Sequence, residues 1–302
     1  MYIMSLMNGI LIINKQSGMT SHDVVARIRR ILKTKKVGHT GTLDPDATGV
    51  LVACVGEATK LSSFLMATSK EYIAEMELGI KTDSQDSTGK IVSQTKDFSV
   101  TREQAQKALE TLTGEISQIP PMVSAVRHRG KKLYELARKG QEVEREPRPV
   151  KIYSLELLDF KPPRLRFRVE CSKGTYIRTL CSDLGDMLGC GAHQASLTRT
   201  RSGPFSIDEA LTLSELENVA DPAEKIIPPG KALSFLPEVK VKKWFRKFVA
   251  KNAELTPADI IEKPNLNEGD TARIVDIDGT LLAIGKAGEG AEPPVTIVHC
   301  VK

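Results

Sequence analysis

Strand-like and helix-like segments follow one another irregularly along this chain, which limits the folds open to it. Residues 9–14 (GILIIN) and 50–55 are short apolar runs typical of buried strands. Residues 71–78 and 164–171 alternate polar and apolar side chains, which indicates half-exposed strands. A parallel β-α-β sheet would need a helix between successive strands, and these segments are not separated in that regular way. The sequence therefore predicts an α+β fold with a mixed, largely antiparallel sheet and flanking helices.

Four helices are predicted between the strands, and two of them carry a start signal. Ser21 is suited to cap the first, because the apolar residues that follow it fall on one face. Those residues are Val24, Val25, Ile28, Ile31 and Leu32. Thr101 and Gln104 form a capping-box pattern at the start of a helix that runs to Leu112. The remaining predicted elements are a helix over residues 175–188, a short helix over residues 57–66 and a strand over residues 192–200.

A break at Pro228-Pro229-Gly230 divides the chain into two parts. Beyond it, short strand candidates at residues 271–276, 281–285 and 295–301 are separated by turn signals such as Asp278-Gly279. A chain of 302 residues has room for one large domain and one small one. We therefore predict a larger domain at residues 1–231 and a small β-rich domain at residues 232–302.

Positive charge is concentrated in residues 120–151, which we call the basic arm. It holds nine Lys and Arg residues against four Glu, with Tyr134 among them. A basic segment with an interleaved aromatic ring suits an RNA backbone. A solvated helix and turn explain such a run equally well. The net charge of the whole chain, +5, agrees with a polyanionic partner without requiring one.

Several classes of protein find no support in the composition. No apolar run approaches the roughly 20 residues that span a bilayer. Residues 1–14 lack the basic start and the cleavage site of a secretory signal peptide. We interpret them as a leader followed by a buried strand. The five cysteines are scattered and form no Cys-x-x-Cys pair, which gives no support for a zinc cluster. We expect buried, inert thiols and a cytoplasmic location.

Residues 37–51 (VGHTGTLDPDATGVL), which we call the glycine-rich loop, are the most unusual stretch. Their three glycines permit tight backbone conformations or the close approach of a ligand. Pro45 fixes the backbone after Asp44, so the loop is suited to aim one carboxylate into a cleft. An Asp-Pro pair also forms ordinary turns. The residues alone leave both interpretations open.

The glycine-rich loop resembles the nucleophile motif of the TruB family of tRNA pseudouridine synthases, G-H-T-G-T-L-D-P-x-A-T-G-x-L, with Asp46 where Leu is usual. Other motifs of that family follow in the same order. They are residues 15–21 (KQSGMTS, with Gln16 in place of Pro), 70–72 (KEY), 173–179 (KGTYIRT) and 197–203 (LTRTRSG). The basic arm, with PPMVSA and GKKLYELARKG, resembles the family's RNA-gripping insertion. Several motifs in a fixed order are far more specific than any one of them.

The resemblance implies a pseudouridine synthase core and an isomerase that acts on uridine-55 in the T loop of tRNA. Asp44 matches the carboxylate that cleaves and re-forms the glycosidic bond of a flipped base. Arg178 matches the arginine expected to keep Asp44 ionised and to orient it through two hydrogen bonds. Tyr72 matches the tyrosine that stacks on the base, and its hydroxyl is suited to help move the C5 proton. Whether Asp44 attacks C1′ or C6, or removes a ribose proton, stays open.

The same resemblance implies further substrate-binding residues, namely His39, Tyr176, Leu197 and Lys15. No metal and no cofactor is implied, because the product is an isomer of the substrate. The C-terminal domain resembles the RNA-binding PUA domain, although a plain stabilising β-barrel is the alternative. The short C-terminus without lysine-rich tails resembles the stand-alone bacterial enzymes. We therefore expect a monomer that binds the T stem-loop of tRNA, needs no guide RNA and does not contact a membrane.

Two other functions fit parts of the sequence. A non-catalytic RNA-binding or folding factor would use the same basic surfaces, but it would not need Asp44, Tyr72 and Arg178 together. A metal-dependent hydrolase would need a cluster of ligands, and the five histidines are far apart in the sequence. Asp44→Asn separates the first alternative from catalysis, and sensitivity to EDTA would identify the second.

Overall fold

The computed structural model describes residues 7–290 and 294–301, so the interpretation of the first six residues as a leader lies outside the described part. The strands in chain order are β1 (Gly9–Lys15), β2 (Val37–His39), β3 (Thr48–Val55), β4 (Lys70–Leu78), β5 (Ile80–Thr82), β6 (Ile91–Gln94), β7 (Gly114–Gln118), β8 (Arg127–His128), β9 (Lys131–Lys132), β10 (Arg148–Lys161), β11 (Arg164–Cys171), β12 (Ala192–Ser202), β13 (Phe205–Ser206), β14 (Glu238–Val241), β15 (Glu254–Leu255), β16 (Ile260–Glu262), β17 (Thr271–Val275), β18 (Leu281–Ala287) and β19 (Val295–Cys300).

The α-helices are short and lie between the strands without a regular repeat. They are α1 (Ser21–Ile31), α2 (Ser62–Met66), α3 (Arg102–Thr111), α4 (Leu133–Ala137), α5 (Ile177–Met187), α6 (Leu213–Asn218) and α7 (Pro229–Ala232). Four 3₁₀ helices occupy Gly56–Leu61, Ile207–Glu209, Pro222–Lys225 and Lys243–Lys247. None of the helices in the described part of the chain is both long and apolar enough to cross a bilayer.

A nine-stranded mixed sheet forms the frame of the larger part of the chain. Its central order is β1-β3-β12-β4-β11-β10-β7, with β2 paired to β3 and β13 paired to β12. All of these pairs are antiparallel except β3 with β12, where Thr48 lies beside Thr198 and Gly49 beside Arg199. The prediction of an α+β fold with a mixed, largely antiparallel sheet is confirmed.

The apolar run of β1 is explained by burial on both of its faces. Leu11 and Ile13 pack with α1 in one core cluster. Ile10 and Ile12 face the other way and pack against residues of the C-terminal sheet, including Ile284. Because both faces are covered, no alternation of polar and apolar residues survives in this strand.

The start of α1 differs from the prediction by one residue, and the difference matters for the site. Thr20, not Ser21, is the N-cap: its hydroxyl accepts a hydrogen bond from the Asp23 amide at 3.1 Å, and the Asp23 carboxylate accepts one from the Thr20 amide at 2.9 Å. Ser21 is the first helical residue and is fully buried. Its hydroxyl is thereby free to bond elsewhere. The capping box of Thr101 and Gln104 on α3 is confirmed.

Three other segments differ from the sequence predictions. The longest strand, β10, was not predicted, and it includes the last four residues of the basic arm, 148–151. Its alternation is interrupted by two register shifts against β11, which hide the two-residue period. Residues 57–66 form a 3₁₀ helix followed by α2, not one helix. α5 begins at Ile177, two residues later than predicted, because Tyr176 is its N-cap.

A six-stranded sheet, in the order β15-β19-β18-β17-β14-β16, follows the Pro-Pro-Gly break. It has its own apolar cluster, with Ile274 and Ile297 fully buried. The strands predicted in this region are confirmed within two residues at each end, whereas β14, β15 and β16 were too short to be recognised. A third residue of this sheet, Val275, packs against the strands of the larger sheet.

Four of the five cysteines are buried, as the sequence predicted. Cys54, Cys171, Cys181 and Cys190 are buried, Cys300 is half-buried, and all five are free thiols. Burial raises the pKa of Cys54 to about 12 and that of Cys171 to about 11, so both thiols are protonated and unreactive at neutral pH.

Candidate active site

Two buried side chains, Ser21 and Lys15, hold the glycine-rich loop through hydrogen bonds to its backbone. Ser21 donates a hydrogen bond to the Leu43 carbonyl at 3.1 Å and accepts one from the Leu43 amide at 2.9 Å. The Lys15 ammonium donates to the carbonyls of Pro45, Met19 and Gln16 at 2.7, 2.7 and 3.0 Å. These bonds hold the residue before Asp44 and the residue after it.

A third side chain, Arg199, also holds the backbone of this loop. Its guanidinium donates to the Val50 carbonyl at 2.6 Å and to the Gly41 carbonyl at 3.1 Å. The backbone of Gly49 runs so close to β12 that an added Cβ would lie 2.2 Å from the Arg199 carbonyl oxygen, and its φ is +96°. Only glycine fits this approach without displacing a strand.

Asp44 is placed at the wall of a cleft and is paired with Arg178. The Arg178 Nη2 donates to Asp44 Oδ2 at 2.7 Å, and Arg178 is only 5% exposed. The expectation that Arg178 gives two hydrogen bonds to Asp44 is wrong. Its Nη1 donates instead to Asp86 Oδ2 at 3.2 Å, so one guanidinium bridges two carboxylates.

Asp86 is the main site residue that the sequence did not reveal. Its Oδ1 accepts hydrogen bonds from the Ser84 hydroxyl at 2.6 Å and from the Thr88 hydroxyl and amide at 2.6 and 3.0 Å. Because Oδ1 is thus occupied, Oδ2 is left to hold Arg178. The signal was weak, since residues 83–90 look like an ordinary polar turn and only their contact with α5 gives them a role.

The pKa of the Asp44 carboxyl lies above its ordinary value, chiefly because the cleft removes water from the group. The Arg178 guanidinium opposes this rise, whereas the nearby charge of Asp86 adds to it. The side chain is 42% exposed, and it opens into the cleft and not onto the outer surface. The cleft thus disfavours the charged form of Asp44, and Arg178 favours it.

Tyr72 lies on β4 between Val169 of β11 and Arg199 of β12 and is 9% exposed. It lines the same cleft as Asp44. Burial raises the pKa of its phenol, so the hydroxyl keeps its proton at neutral pH. This environment suits a ring that stacks on a planar ligand better than a phenolate that accepts a proton.

The cleft has a volume of about 1590 Å³ and brings together most of the residues predicted for the site. Those that line it are Asp44, Tyr72, Arg178, His39, Tyr176 and Leu197. The Gly41 amide donates to His39 Nδ1 at 3.3 Å, which leaves Nε2 to carry the proton of the neutral ring. Burial lowers the pKa of His39 and favours that neutral form.

Gln118, which the sequence did not reveal, holds the backbone of Tyr176 at the N-terminus of α5. The Tyr176 amide donates to Gln118 Oε1 at 3.0 Å, and Gln118 Nε2 donates to the Tyr176 carbonyl at 3.3 Å. Gln118 is 2% exposed and ends β7. A paired amide of this kind fixes the backbone that leads into Arg178.

Lys15 lies in a different place from the one the sequence suggested. It is completely buried, does not line the cleft, and gives all three of its N–H bonds to carbonyls. This geometry supports a positioning role under the glycine-rich loop in place of contact with a substrate. Burial also lowers the pKa of its ammonium.

The basic arm also lines the cleft. Tyr134 lines it, with Lys132 Nζ and the Arg138 guanidinium carbon each 5.4 Å from the ring centre. Two buried polar atoms of the arm, Ser124 Oγ and Arg145 Nε, have no hydrogen-bond partner. The arm thus presents cations and an aromatic ring to the cleft but leaves some of its own polar groups unsatisfied.

Two family models match adjoining parts of the chain. One, described as "TruB family pseudouridylate synthase (N terminal domain)", matches residues 29–177. The other, described as "tRNA pseudouridylate synthase B C-terminal domain", matches residues 178–233. Together they include Asp44, Tyr72 and Arg178.

Curated relatives and solved structures agree with these matches. A protein of Pelotomaculum thermopropionicum named "tRNA pseudouridine synthase B" is 48% identical over 93% of this chain and 92% of its own length. A protein of Symbiobacterium thermophilum with the same name is 52% identical over 78% and 79%. A chain of the structure titled "Crystal Structure of a Cbf5-Nop10-Gar1 Complex" aligns with a TM-score of 0.78 at 31% identity, over 99% of this chain and 85% of that chain.

Proposed function

The chain belongs to the TruB family of pseudouridylate synthases, and on that basis we propose that it converts uridine-55 in the T loop of tRNA into pseudouridine. The observation that carries the proposal is the Asp44 carboxylate at the wall of the cleft, hydrogen-bonded at 2.7 Å to the buried Arg178. The choice of tRNA is supported by the names of two relatives that align with 93% and 78% of the chain.

The reaction exchanges one bond between sugar and base for another. The C1′–N1 bond breaks, the base turns, and a C1′–C5 bond forms, while the proton of C5 is lost and N1 gains one. Atoms and electrons balance without an external reagent. Asp44 supplies the carboxylate that this rearrangement needs, whether it attacks C1′ or C6 or removes a ribose proton.

Arg178 and Asp86 prepare that carboxylate before the substrate arrives. Arg178 favours the ionised form of Asp44 and fixes its direction. Asp86 holds the guanidinium through its second nitrogen, which keeps Arg178 from turning toward a phosphate. We therefore give Asp44 the chemical role and treat Arg178 and Asp86 as its positioning pair.

The rest of the cleft receives a base that has left its stack. Tyr72 and Tyr176 offer ring faces, Leu197 an apolar wall, and His39 a hydrogen-bonding edge. The raised pKa of Tyr72 supports stacking as its main contribution. Removing a uridine from the folded T loop costs about a few kcal/mol, which phosphate contacts of the basic arm offset.

We further propose that the chain acts alone on tRNA, as a monomer in the cytoplasm and without a guide RNA. The support for this proposal is that Lys132, Arg138 and Arg148 of the basic arm line the same cleft as Asp44. We place the domain boundary near residue 232, where the larger sheet and its following helices end and the six-stranded sheet begins.

An unmodified tRNA transcript tests the proposal directly. After incubation with the chain, carbodiimide treatment and primer extension should give a new stop one nucleotide 3′ of position 55, and none in a matched transcript that carries cytidine at 55. A T loop that stays unmodified after prolonged incubation would refute the proposed reaction. A stop at another uridine would keep the isomerase and reject the position.

A further inference from the structure

One glutamine in the wall of the cleft has a side chain without a partner. Gln194 is 7% exposed and lines the cleft that holds Asp44. Its side-chain amide forms no hydrogen bond with any residue in the described part of the chain. The amide of Gln118, by contrast, is hydrogen-bonded to both the amide and the carbonyl of Tyr176. A polar group this deeply placed is normally hydrogen-bonded, so the Gln194 amide calls for a ligand.

The amide of Gln194 is accessible from the cleft. Among the described residues, the fully buried polar side-chain atoms that lack a partner belong to Arg29, Ser124, Arg145 and Asp276, and not to Gln194. Its Nε2 and Oε1 therefore keep some accessible surface although the residue as a whole is nearly buried. Because Gln194 lines the cleft, this donor and this acceptor are available to whatever the cleft binds.

The backbone of Gln194 is held beside the residues that position Asp44. Its amide donates to the Gln85 carbonyl at 2.9 Å, and its carbonyl accepts from the Ser87 amide at 3.0 Å. These two bonds lie on either side of Asp86, whose carboxylate holds Arg178. The place of Gln194 is thereby fixed relative to the pair formed by Arg178 and Asp44.

A register shift in β12 turns Gln194 toward the same cleft as Leu197. Residues three apart on a regular strand point to opposite faces. Between Gln194 and Ser196 the pairing with β4 slips by one residue, so that Gln194 lies opposite Met76 and Ser196 opposite Glu75. Irregularities of this kind redirect side chains next to active sites. Gln194 and Leu197 consequently line one cleft.

A side-chain amide offers a donor and an acceptor side by side, and uracil offers the matching pair. On the edge of uracil opposite C6, N3–H donates, and the oxygens O2 and O4 on either side of it accept. Glutamine pairs with two adjacent atoms of a base in this way wherever donor and acceptor match. A base that stacks on the ring of Tyr72 leaves this edge free.

We propose that Gln194 binds the N3–H edge of the target base, with Oε1 accepting from N3–H and Nε2 donating to an adjacent carbonyl oxygen. This inference rests on the proposed function and adds to it the residue that holds the edge of the base. Gln194 is thus a substrate-binding residue and takes no proton in the reaction.

The symmetry of that edge lets one amide serve both substrate and product. To exchange the C1′–N1 bond for a C1′–C5 bond, the base turns by half a revolution about the axis through N3 and C6. The turn exchanges O2 with O4 and leaves N3–H in place. An amide that holds N3–H and one flanking oxygen therefore meets the same donor and acceptor before and after the turn.

A change in the base tests the contact without requiring turnover. The full chain with Asp44→Asn is titrated with two T stem-loop RNAs, one with uridine and one with 3-methyluridine at position 55. Methylation removes the N3–H donor, so the protein that carries Gln194 should prefer uridine. In the double variant with Gln194→Ala, this preference should fall by about fivefold or more. Any effect of the methyl group on the RNA itself is common to both proteins and cancels in the comparison.

Two further variants separate the contact from a structural role. Gln194→Leu keeps most of the bulk without the amide, and it should also lower the preference for uridine. Gln106→Ala, a half-buried glutamine on α3 that does not line the cleft, should leave the preference unchanged. Loss of structure alone would weaken binding of both RNAs equally, and equal circular dichroism spectra establish that the variants are folded.

Single-turnover kinetics complete the test with Asp44 intact. On a tRNA transcript with uridine at position 55, Gln194→Ala should slow the formation of pseudouridine by about 5- to 100-fold. A preference for uridine over 3-methyluridine that is the same with and without Gln194 would overturn this inference and leave the proposed reaction untouched. A parent chain that forms no pseudouridine would instead refute the proposed reaction, whereas the binding comparison would still decide the role of Gln194.

Discussion

The glycine-rich loop and the basic arm form two walls of one cleft, yet they are built in different ways. The loop is anchored by buried side chains of three separate elements, through Lys15, Ser21 and Arg199. The arm contains two two-residue strands and a five-residue helix, and buried polar atoms of Ser124 and Arg145 lack partners. This difference is what the proposed function requires, with the chemical group set in advance and the arm completing its contacts on RNA.

The largest expected effect comes from the residue that orients the carboxylate. Arg178→Lys keeps the charge but loses the planar fork that bridges Asp44 and Asp86, so turnover should fall by roughly 10²- to 10³-fold with little change in KM. Arg138→Lys, the same change on the arm, should keep turnover within about twofold, because a point charge suffices for phosphate. Single-turnover kinetics on a tRNA transcript measure both. Equal losses of turnover in the two variants would contradict the view that the glycine-rich loop, and not the arm, sets the geometry of the reaction.

Matched glycine substitutions compare the stability of the two walls. Gly49→Ala forces a Cβ to within 2.2 Å of the Arg199 carbonyl at a φ of +96°, and should lower the free energy of unfolding by about 3 kcal/mol or more. Gly140→Ala meets nothing within 4 Å at a φ of +67° and should lose only about 1 kcal/mol. Denaturant titration gives both values. Similar losses would mean that the loop is less tightly fixed than its contacts indicate.

The pH dependence of the reaction rate tests the roles of the Asp44 and Asp86 carboxylates. The charge of Asp86 raises the pKa of Asp44, so its removal in Asp86→Asn should lower that pKa. Activity that needs ionised Asp44 is lost as pH falls through this pKa, and the acid limb of the rate profile should therefore move to lower pH. The rate at the plateau should also fall, because Arg178 loses a partner. An acid limb that stays in place would show that another group controls it.

The smallest effect is expected for a single cation of the arm. Lys132→Gln should leave the rate of the bound complex unchanged and weaken tRNA binding, with the slope of log K against log salt reduced by about 1. Filter binding at several salt concentrations measures the slope. Glu115→Gln, outside the arm and the cleft, is a matched control that should not reduce it. A fall in the rate itself would give Lys132 a part in the chemistry.

The sequence revealed those parts of the site that lie in one continuous stretch. The glycine-rich loop, Tyr72 and the segment of Arg178 were found because each carries a local pattern. Asp86 was missed, because a polar turn shows no sign of the arginine that it meets 92 positions later. The prediction that Arg178 gives its second hydrogen bond to Asp44 was wrong for the same reason.

Local patterns also misjudged roles that depend on burial. Lys15 was expected at the substrate from the family resemblance, but the fold buries it and turns its ammonium toward carbonyls. Ser21 was expected to cap α1, yet Thr20 with Asp23 does so and releases Ser21 to bind the loop. Long-range contacts decide both cases, and they are invisible in the order of residues alone.

Asp44→Asn tests the central claim most directly. The substitution keeps the size of the side chain and removes its charge, while Arg178 retains Asp86 as a partner. Asp46→Asn changes an exposed carboxylate two residues away and is the matched control. In single-turnover reactions on the same tRNA transcript, we predict no detectable pseudouridine with Asp44→Asn, a normal rate with Asp46→Asn, and equal tRNA binding by both. Pseudouridine formed by Asp44→Asn at the rate of the parent chain would contradict the account.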